Sequence, residues 1–277
     1  MDFNGKAAAI TGAGSGIGRA LSLKLADAGC NLVLSDISEQ GLNETKALIE
    51  NQNISCTTTI LDVRDRAAIE AWAQAAITEF GHIDAVFNNA GVTVVDNVRT
   101  LDYDDFNWVM DINFWGMVYG SKAFLPHFLD RDAGIIVNVS SLFGLIAVPA
   151  QSAYNASKFA IRGFTESLEQ EMQGSGISVF SIHPGGIKTG IARNARLNKK
   201  QLGAGKAEQF AKAFERGART TPEQAAEVIL KGIAKGKRRI LIGGDAHLLD
   251  WVQRLLPNRY EVALSLLFRV NTKKSKS

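Results

Sequence analysis

The chain has 277 residues, 46% hydrophobic and 21% charged, with 26 glycines and 5 prolines, a globular profile that excludes a disordered or collagen-like chain. Cys30 and Cys56 lack metal-ligand spacing, the four histidines are scattered, and no stretch has the length of an apolar membrane span. The net charge of +3 hides an asymmetry: residues 1–187 hold 11 Lys/Arg against 21 Asp/Glu, whereas residues 188–277 hold 20 against 7.

These features lead to several expectations. Both cysteines are expected as buried free thiols, no metal is expected, and a reducing, cytoplasmic setting fits. The opening MDFNGKAAAITG has no basic n-region followed by a long apolar stretch, so no secretory signal is expected. The basic last third suits an anionic ligand, an anionic membrane surface or plain solvation. Nucleic acid is not expected as a partner, because the charge comes without a recognition helix, zinc spacing or aromatic interleaving.

In chain order, the apolar run AAAI (residues 7–10) ends in a glycine cluster. A helical pattern follows through Arg19, Leu21, Leu23 and Leu25 until Gly29, and NLVLSD then closes on Asp36. Strand, glycine turn, helix, strand is a βαβ unit. A polar amphipathic helix is expected over residues 40–52, then the strand SCTTTILDV ending in Asp62–Val63, a helix over 67–80 and a strand over 83–88 entering NNAG. One long or slightly broken helix is expected over 104–129, a strand over 134–141, a helix over 152–173 and a strand over 176–183. Residues 188–221 give no strand signal, and helical periodicity returns at 208–215. Thr221–Pro222–Glu223–Gln224 then starts a helix with a threonine cap, a first-turn proline and a glutamine three residues on. Residues 239–242 form the last expected strand. Short apolar runs alternating with helices predict an α/β fold with a parallel sheet covered on both faces, in one domain. The NTKKSKS tail is expected to be disordered.

The loops carry the chemistry. In TGAGSGIG, Gly12 allows a sharp turn, while Gly16 and Gly18 permit close approach of backbone and helix to a ligand. The helix N-terminus offers free amides to a pyrophosphate. Asp36, at the end of the second strand, suits both ribose hydroxyls of an adenosine and would repel a 2′-phosphate. No lysine or arginine adjoins it, and Ser15 adds no charge, so NAD is expected over NADP. Asp62 and Val63 suit an adenine, Asn88 and Asn89 tie neighbouring loops, and Gly91 gives backbone access.

Tyr154 and Lys158, in AYNASKFA, lie one helical turn apart, and Ser141 stands 13 residues before the tyrosine. An adjacent ammonium, with a nicotinamide cation, is expected to lower the phenol pKa so that it exchanges a proton with an alcohol or a carbonyl. Ser141 would orient the substrate oxygen.

With these motifs together, the chain resembles the short-chain dehydrogenase/reductase family. TGAGSGIG resembles its TGxxxGxG cofactor loop, NNAG the motif after its fourth strand, and YNASK its YxxxK signature. The resemblance covers about residues 4–242. It implies a doubly wound Rossmann fold with a seven-stranded parallel sheet, and a homodimer or homotetramer built on the long helices. It implies Tyr154 as acid/base, Lys158 on the nicotinamide ribose, Ser141 as the catalytic serine and Asn113 holding a water on a proton relay. It further implies cofactor contacts from Gly12, Ser15, Gly16, Ile17, Gly18, Asp36, Asp62, Val63, Asn89, Ala90, Gly91, Tyr154, Lys158, Pro184, Gly185, Ile187 and Thr189. Gly186 departs from the family, which often has a larger residue there.

The implied activity is NAD-dependent interconversion of a secondary alcohol and a ketone. An NADP-dependent carbonyl reductase is an alternative, as is a dinucleotide-binding sensor without turnover. Leu142, Phe143, Leu145, Ile146 and Val148, with Val92, Val94 and Val95, suit a hydrophobic substrate and also suit a core. Residues 188–221 are expected as a basic substrate lid. In the apolar extension at 243–270, Leu248, Leu249, Trp251, Val252, Leu255 and Leu256 form one face and Val262–Phe268 a second run. That extension is expected to pack at a subunit interface or over the pocket, with peripheral membrane contact as the rival because Arg254, Arg259, Arg269, Lys273, Lys274 and Lys276 accompany it.

Overall fold

The structure, a computed structural model, describes residues 2–50, 53–197 and 218–262. Seven strands form the central sheet: β1 (Ala7–Thr11), β2 (Asn31–Asp36), β3 (Cys56–Ile60), β4 (Ala85–Asn88), β6 (Gly134–Val139), β7 (Ile177–Pro184) and β9 (Arg239–Ile242). They are all parallel, in the order β3-β2-β1-β4-β6-β7-β9. The helices are α1 (Gly16–Asp27), α2 (Glu39–Ala47), α3 (Arg66–Phe80), α4 (Tyr103–Met110), α5 (Gly116–Arg131), α6 (Ser152–Glu171), α7 (Pro222–Ala234) and α8 (Gly244–Leu255). This is the doubly wound Rossmann architecture. The chain leaves β1 toward β2 and β3, then crosses back to β4 on the other side. That reversal opens a crevice between the C-terminal ends of β1 and β4.

Strand alternation builds the two layers. Ala8, Ile10, Leu32, Leu34, Phe87, Val137 and Ile182 face one side, packed with Leu21 and Leu25 of α1 and Ile229 and Ile233 of α7. Their neighbours Ala7, Ala9, Val33, Val86, Ile136 and Val179 face the other side, against Trp72 of α3, Phe124 and Phe128 of α5, and Leu168 of α6. Each fully buried leucine or isoleucine contributes about 1.5–3 kcal/mol by leaving water. With helices covering both faces, the inner strands are mainly apolar, as a parallel sheet favours, while the edge strand β3 (CTTTI) is largely threonine and only partly buried.

Several boundaries differ from expectation. The helix over 40–52 ends at Ala47. The segment 104–129 is α4 and α5 joined by a π turn at Asp111–Trp115. Residues 196–197, where no strand was expected, form β8, paired in parallel with β5 (Val94–Val95). A two-residue pair is held by backbone bonds and leaves no alternation to read. Thr221 makes the expected capping box with Gln224. Cys30 is buried but Cys56 only half-buried, because β3 is an edge strand; both are free.

In the C-terminal extension, α8 turns Ala246 and Leu249 inward onto Leu142, Leu145 and Ile146, and leaves Leu248, Trp251, Leu255 and Leu256 exposed. The single apolar face is therefore divided. The helical pattern at 208–215, most of the basic lid and the run after Val262 lie outside the described residues. Among the described residues, no helix is long and apolar enough to cross a membrane and no acidic, histidine or cysteine cluster could hold a metal.

Candidate active site

The glycine turn leaves β1 with Gly12 at φ +67°, and a Cβ there would stand 2.9 Å from the Ala90 Cα. At Gly18 a Cβ would meet the Gly12 carbonyl oxygen at 2.1 Å, so glycine is what lets α1 begin this close to the turn. Ser15, the N-cap of α1, makes no side-chain capping bond, and the first turn, which includes Ile17, has no acid. The amides and dipole of that helix start remain available to an anion.

The turn is fixed from two sides. The Gly14 N–H donates to Asp36 Oδ2 at 2.8 Å, and the Ser38 N–H donates to Asp36 Oδ1 at 2.9 Å. Opposite, the Asn89 side chain donates to the carbonyls of Thr11 (3.0 Å) and Gly12 (3.2 Å). The N–H groups of Asn89 and Ala90 both reach Thr11 Oγ1 at 3.1 Å. Asn89 thus ties β4 to β1, and Asn88 lies deeper, donating to Ser121 and Asn138. Arg19, which sequence reading assigned no role, clamps the same turn. Its guanidinium donates to the Gly14 carbonyl (2.5 Å) and Thr45 Oγ1 (3.0 Å) and pairs with Glu44 (2.7 Å).

Asp62 and Val63 stand at the same sheet edge with their side chains engaged. Arg64 forks onto the Asp62 carboxylate and holds its pKa below the usual range. Val63 is buried against α5, where a Cβ on Gly116 would come within 2.9 Å of it.

Tyr154, Ser141 and Lys158 are brought together by β6 and α6. Ser141 lies beside the Tyr154 phenol, its Oγ accepting from the Phe143 N–H at 3.1 Å, and Phe143 sets its ring edge-on to the tyrosine, with centroids 6.2 Å apart at 88°. Lys158 is 3% exposed; its ammonium lies 5.5 Å from the tyrosine ring centroid and donates to the Val139 carbonyl at 2.9 Å. Ser140 supports it from behind, donating to the Lys158 carbonyl at 2.8 Å. Burial pushes the lysine down to about 7 and the phenol up to about 12, with the Ser141 hydroxyl pulling the phenol the other way. Desolvation is the largest influence on the phenol in the protein by itself; the expected lowering is for Lys158 acting together with a nicotinamide cation.

Asn113 sits in the π turn, a feature frequent at functional sites. Its amide grips the Val92 peptide at both ends, accepting from the N–H at 2.8 Å and donating to the carbonyl at 3.0 Å. It also donates to Ser157 Oγ at 3.0 Å, and Ser157 in turn donates to the Tyr154 carbonyl. A Cβ on Gly91 would lie 3.3 Å from Asn113 Oδ1 and 3.5 Å from Lys158 Nζ, so Gly91 lets β4's loop run directly over both.

Pro184 ends β7, and the Gly185 N–H donates to the Ile242 carbonyl at 2.9 Å. Ile187 is core, whereas the Thr189 methyl is 3.1 Å from where a Cβ on Gly16 would stand, so this loop reaches the glycine turn. Of the apolar residues expected around the substrate, Leu142, Leu145, Ile146, Val94 and Val95 are buried core, while Val92, Phe143 and Val148 remain half-buried.

His183 was missed in the sequence. It is fully buried in β7, with Nδ1 3.1 Å from the Ser141 carbonyl and Nε2 2.9 Å from Ser181 Oγ. A carbonyl only accepts, so Nδ1 carries the hydrogen and Nε2 accepts from Ser181. Burial pushes its pKa down to about 4 and keeps it neutral. Its only sequence signal is its place just before Pro184–Gly185.

A parallel sheet with its reversal at β1/β4, a glycine turn there and a Ser–Tyr–Lys set beside it define a dinucleotide-dependent oxidoreductase. The short chain dehydrogenase family model matches residues 6–200. A Mycobacterium tuberculosis protein named as an oxidoreductase, SadH, is 46% identical over 262 residues, 94% of each chain. The structure of a short chain dehydrogenase/reductase from Burkholderia phymatum in complex with NAD matches with TM-score 0.82 and 31% identity, over 100% of this chain and 99% of that one. Levodione reductase matches with TM-score 0.80 and 31% identity, over 88% and 99%. The chain belongs to the short-chain dehydrogenase family of NAD(P)-dependent oxidoreductases.

Proposed function

We propose that the chain is an NAD-dependent enzyme that interconverts a hydrophobic secondary alcohol and its ketone in the cytoplasm, as a homodimer or homotetramer. The observation that carries this is the Tyr154 phenol set beside Ser141 and over the buried Lys158, which has no carboxylate partner among the described residues. The residues fit a nicotinamide dinucleotide: a glycine cradle that a Cβ would fill, an uncapped helix start, and an ammonium whose burial a bound ribose and a phenolate would offset. The dinucleotide, when bound, supplies hydride transfer.

The rest belongs to the chain. Ser141 Oγ and the phenol together hold the substrate oxygen. As a neutral phenol, Tyr154 donates a proton to a carbonyl. In the reverse direction a charged Lys158 helps it accept one from an alcohol. Gly12, Gly16, Ile17 and Gly18 receive the pyrophosphate, and Pro184, Gly185, Ile187 and Thr189 border the nicotinamide. Asp36 keeps acceptor capacity for ribose hydroxyls, since a carboxylate takes about four hydrogen bonds and two are used. Arg19, committed to the turn and Glu44, is not available to a 2′-phosphate, which favours NAD. Val92, Phe143 and Val148 give the substrate an apolar wall. The exposed Leu248, Trp251 and Leu255 favour a second copy as the partner of α8; binding to anionic liposomes without self-association would overturn that choice.

A panel of secondary alcohols and ketones followed by NADH absorbance tests the reading. Turnover of apolar members with NAD is expected. Turnover confined to NADP, or to sugars, would contradict it.

A further inference from the structure

Asp245 opens α8, in a segment beyond the motifs that define the site. Its Oδ2 accepts the Gly186 N–H at 2.7 Å. A Cβ on Gly185 would stand 2.3 Å from both carboxylate oxygens, and one on Gly243, at φ +95°, 2.4 Å from Oδ1. Two glycines are therefore needed to seat this carboxylate, and a third residue donates to it. Gly185 also donates to the Ile242 carbonyl, and the Thr220 N–H reaches the Gly186 carbonyl at 3.4 Å. The Gly185–Gly186 peptide is thereby fixed between the end of β9 and the start of α8.

The same helix also bears on the other side of the site. Ala246 and Leu249 pack on Leu142, Leu145 and Ile146, directly after Ser141. Asp250 pairs with Arg239 and, at 3.2 Å, with Arg254, which anchors α8 to β9. The Tyr260 hydroxyl accepts the Ala147 N–H at 3.2 Å. The C-terminal segment from Asp245 to Tyr260 thus grips both the loop after Ser141 and the loop after β7.

We propose that Asp245 is a positioning residue for the nicotinamide half of the cofactor site. It holds Pro184–Gly185–Gly186 in the path that borders the ring, and the adenosine half, held through Gly14 and Asp36, does not depend on it. This rests on the reading of that loop as the nicotinamide wall. It also accounts for glycine at 185, where a side chain would displace the carboxylate.

The test compares NADH with ADP-ribose, which lacks the nicotinamide, as ligands of the full-length protein by calorimetry. A lost charged hydrogen bond is worth about tenfold in affinity, so Asp245→Ala is expected to weaken NADH about tenfold and leave ADP-ribose unchanged. Asp245→Asn keeps an acceptor for Gly186 and is expected to restore most of the NADH affinity. Gly185→Ala gives an independent reading: it should weaken NADH selectively, and Asp245→Ala added to it should cost less than the two changes summed. Equal affinities for NADH in wild type and Asp245→Ala, or parallel loss of both ligands, would overturn the positioning role. Wild-type protein that binds neither ligand would instead overturn the dinucleotide reading itself.

Discussion

Asp36 joins two demands at one side chain. Its carboxylate receives the Gly14 and Ser38 N–H groups and so shapes the glycine turn, and in the proposed function it also selects the ribose. Removing it takes away the charge that repels a 2′-phosphate. Asp36→Ala is expected to shift the ratio of kcat/KM for NADP over NAD by at least about tenfold, since one such contact is worth about 1.4 kcal/mol or more. An unchanged preference for NAD would place the discrimination elsewhere. Asp36 was legible because a carboxylate closing a strand at the sheet's C-terminal edge has a position that follows from local pattern alone. Tyr154 and Lys158 were legible for the same reason, being one helical turn apart. His183 was not, because the partner that ties it to the site is a main-chain carbonyl 42 positions away, and no side-chain pattern announces such a bond. Arg19 was hidden similarly, as two of the groups it holds are main-chain carbonyls.

At the scale of elements, the junction of α4 and α5 braces α6. The π turn at Asp111–Trp115 presents Asn113, whose amide links Val92 after β4 to Ser157 on α6. Asn113→Ala removes three hydrogen bonds, one buried and two part-buried, and takes the amide partner from the Val92 N–H and carbonyl. It is expected to destabilise the fold by about 2–4 kcal/mol in urea unfolding and to lower kcat more than it raises KM. Stability and kcat both at wild-type values would show that the turn does not support the site. The alternation of strands and helices was readable from apolar runs between turns, whereas the order of the strands in the sheet was not. The π turn was not, because the apolar spacing continues through it from Val109 to Met117. The β5–β8 pair and the inward set of α8 likewise depend on contacts between segments about a hundred residues apart.

For the whole molecule, a buried lysine makes stability depend on pH. Lys158 is lowered from 10.5 to about 7 in the folded chain, so between those values the unfolded chain binds the extra proton. Stability of the ligand-free protein is then expected to rise with pH above about 7, by up to about 1.4 kcal/mol per unit. The raised thiol of Cys30 (from 9.0) and phenol of Tyr154 (from 10.0) oppose this at higher pH, which leaves roughly pH 7–9 as the window. Lys158→Met should flatten that rise, as read by urea unfolding at several pH values. A slope that persists in the variant would mean that another group carries it.

Turnover and NADH binding by Tyr154→Phe, measured side by side, test the central claim most directly. The phenyl ring keeps the packing against Phe143 and removes only the hydroxyl beside Ser141. Proton transfer by a positioned side chain is worth about 10²–10⁴-fold, so turnover should fall by at least about a hundredfold while NADH affinity stays within about twofold of wild type. Undiminished turnover in that variant would contradict the account.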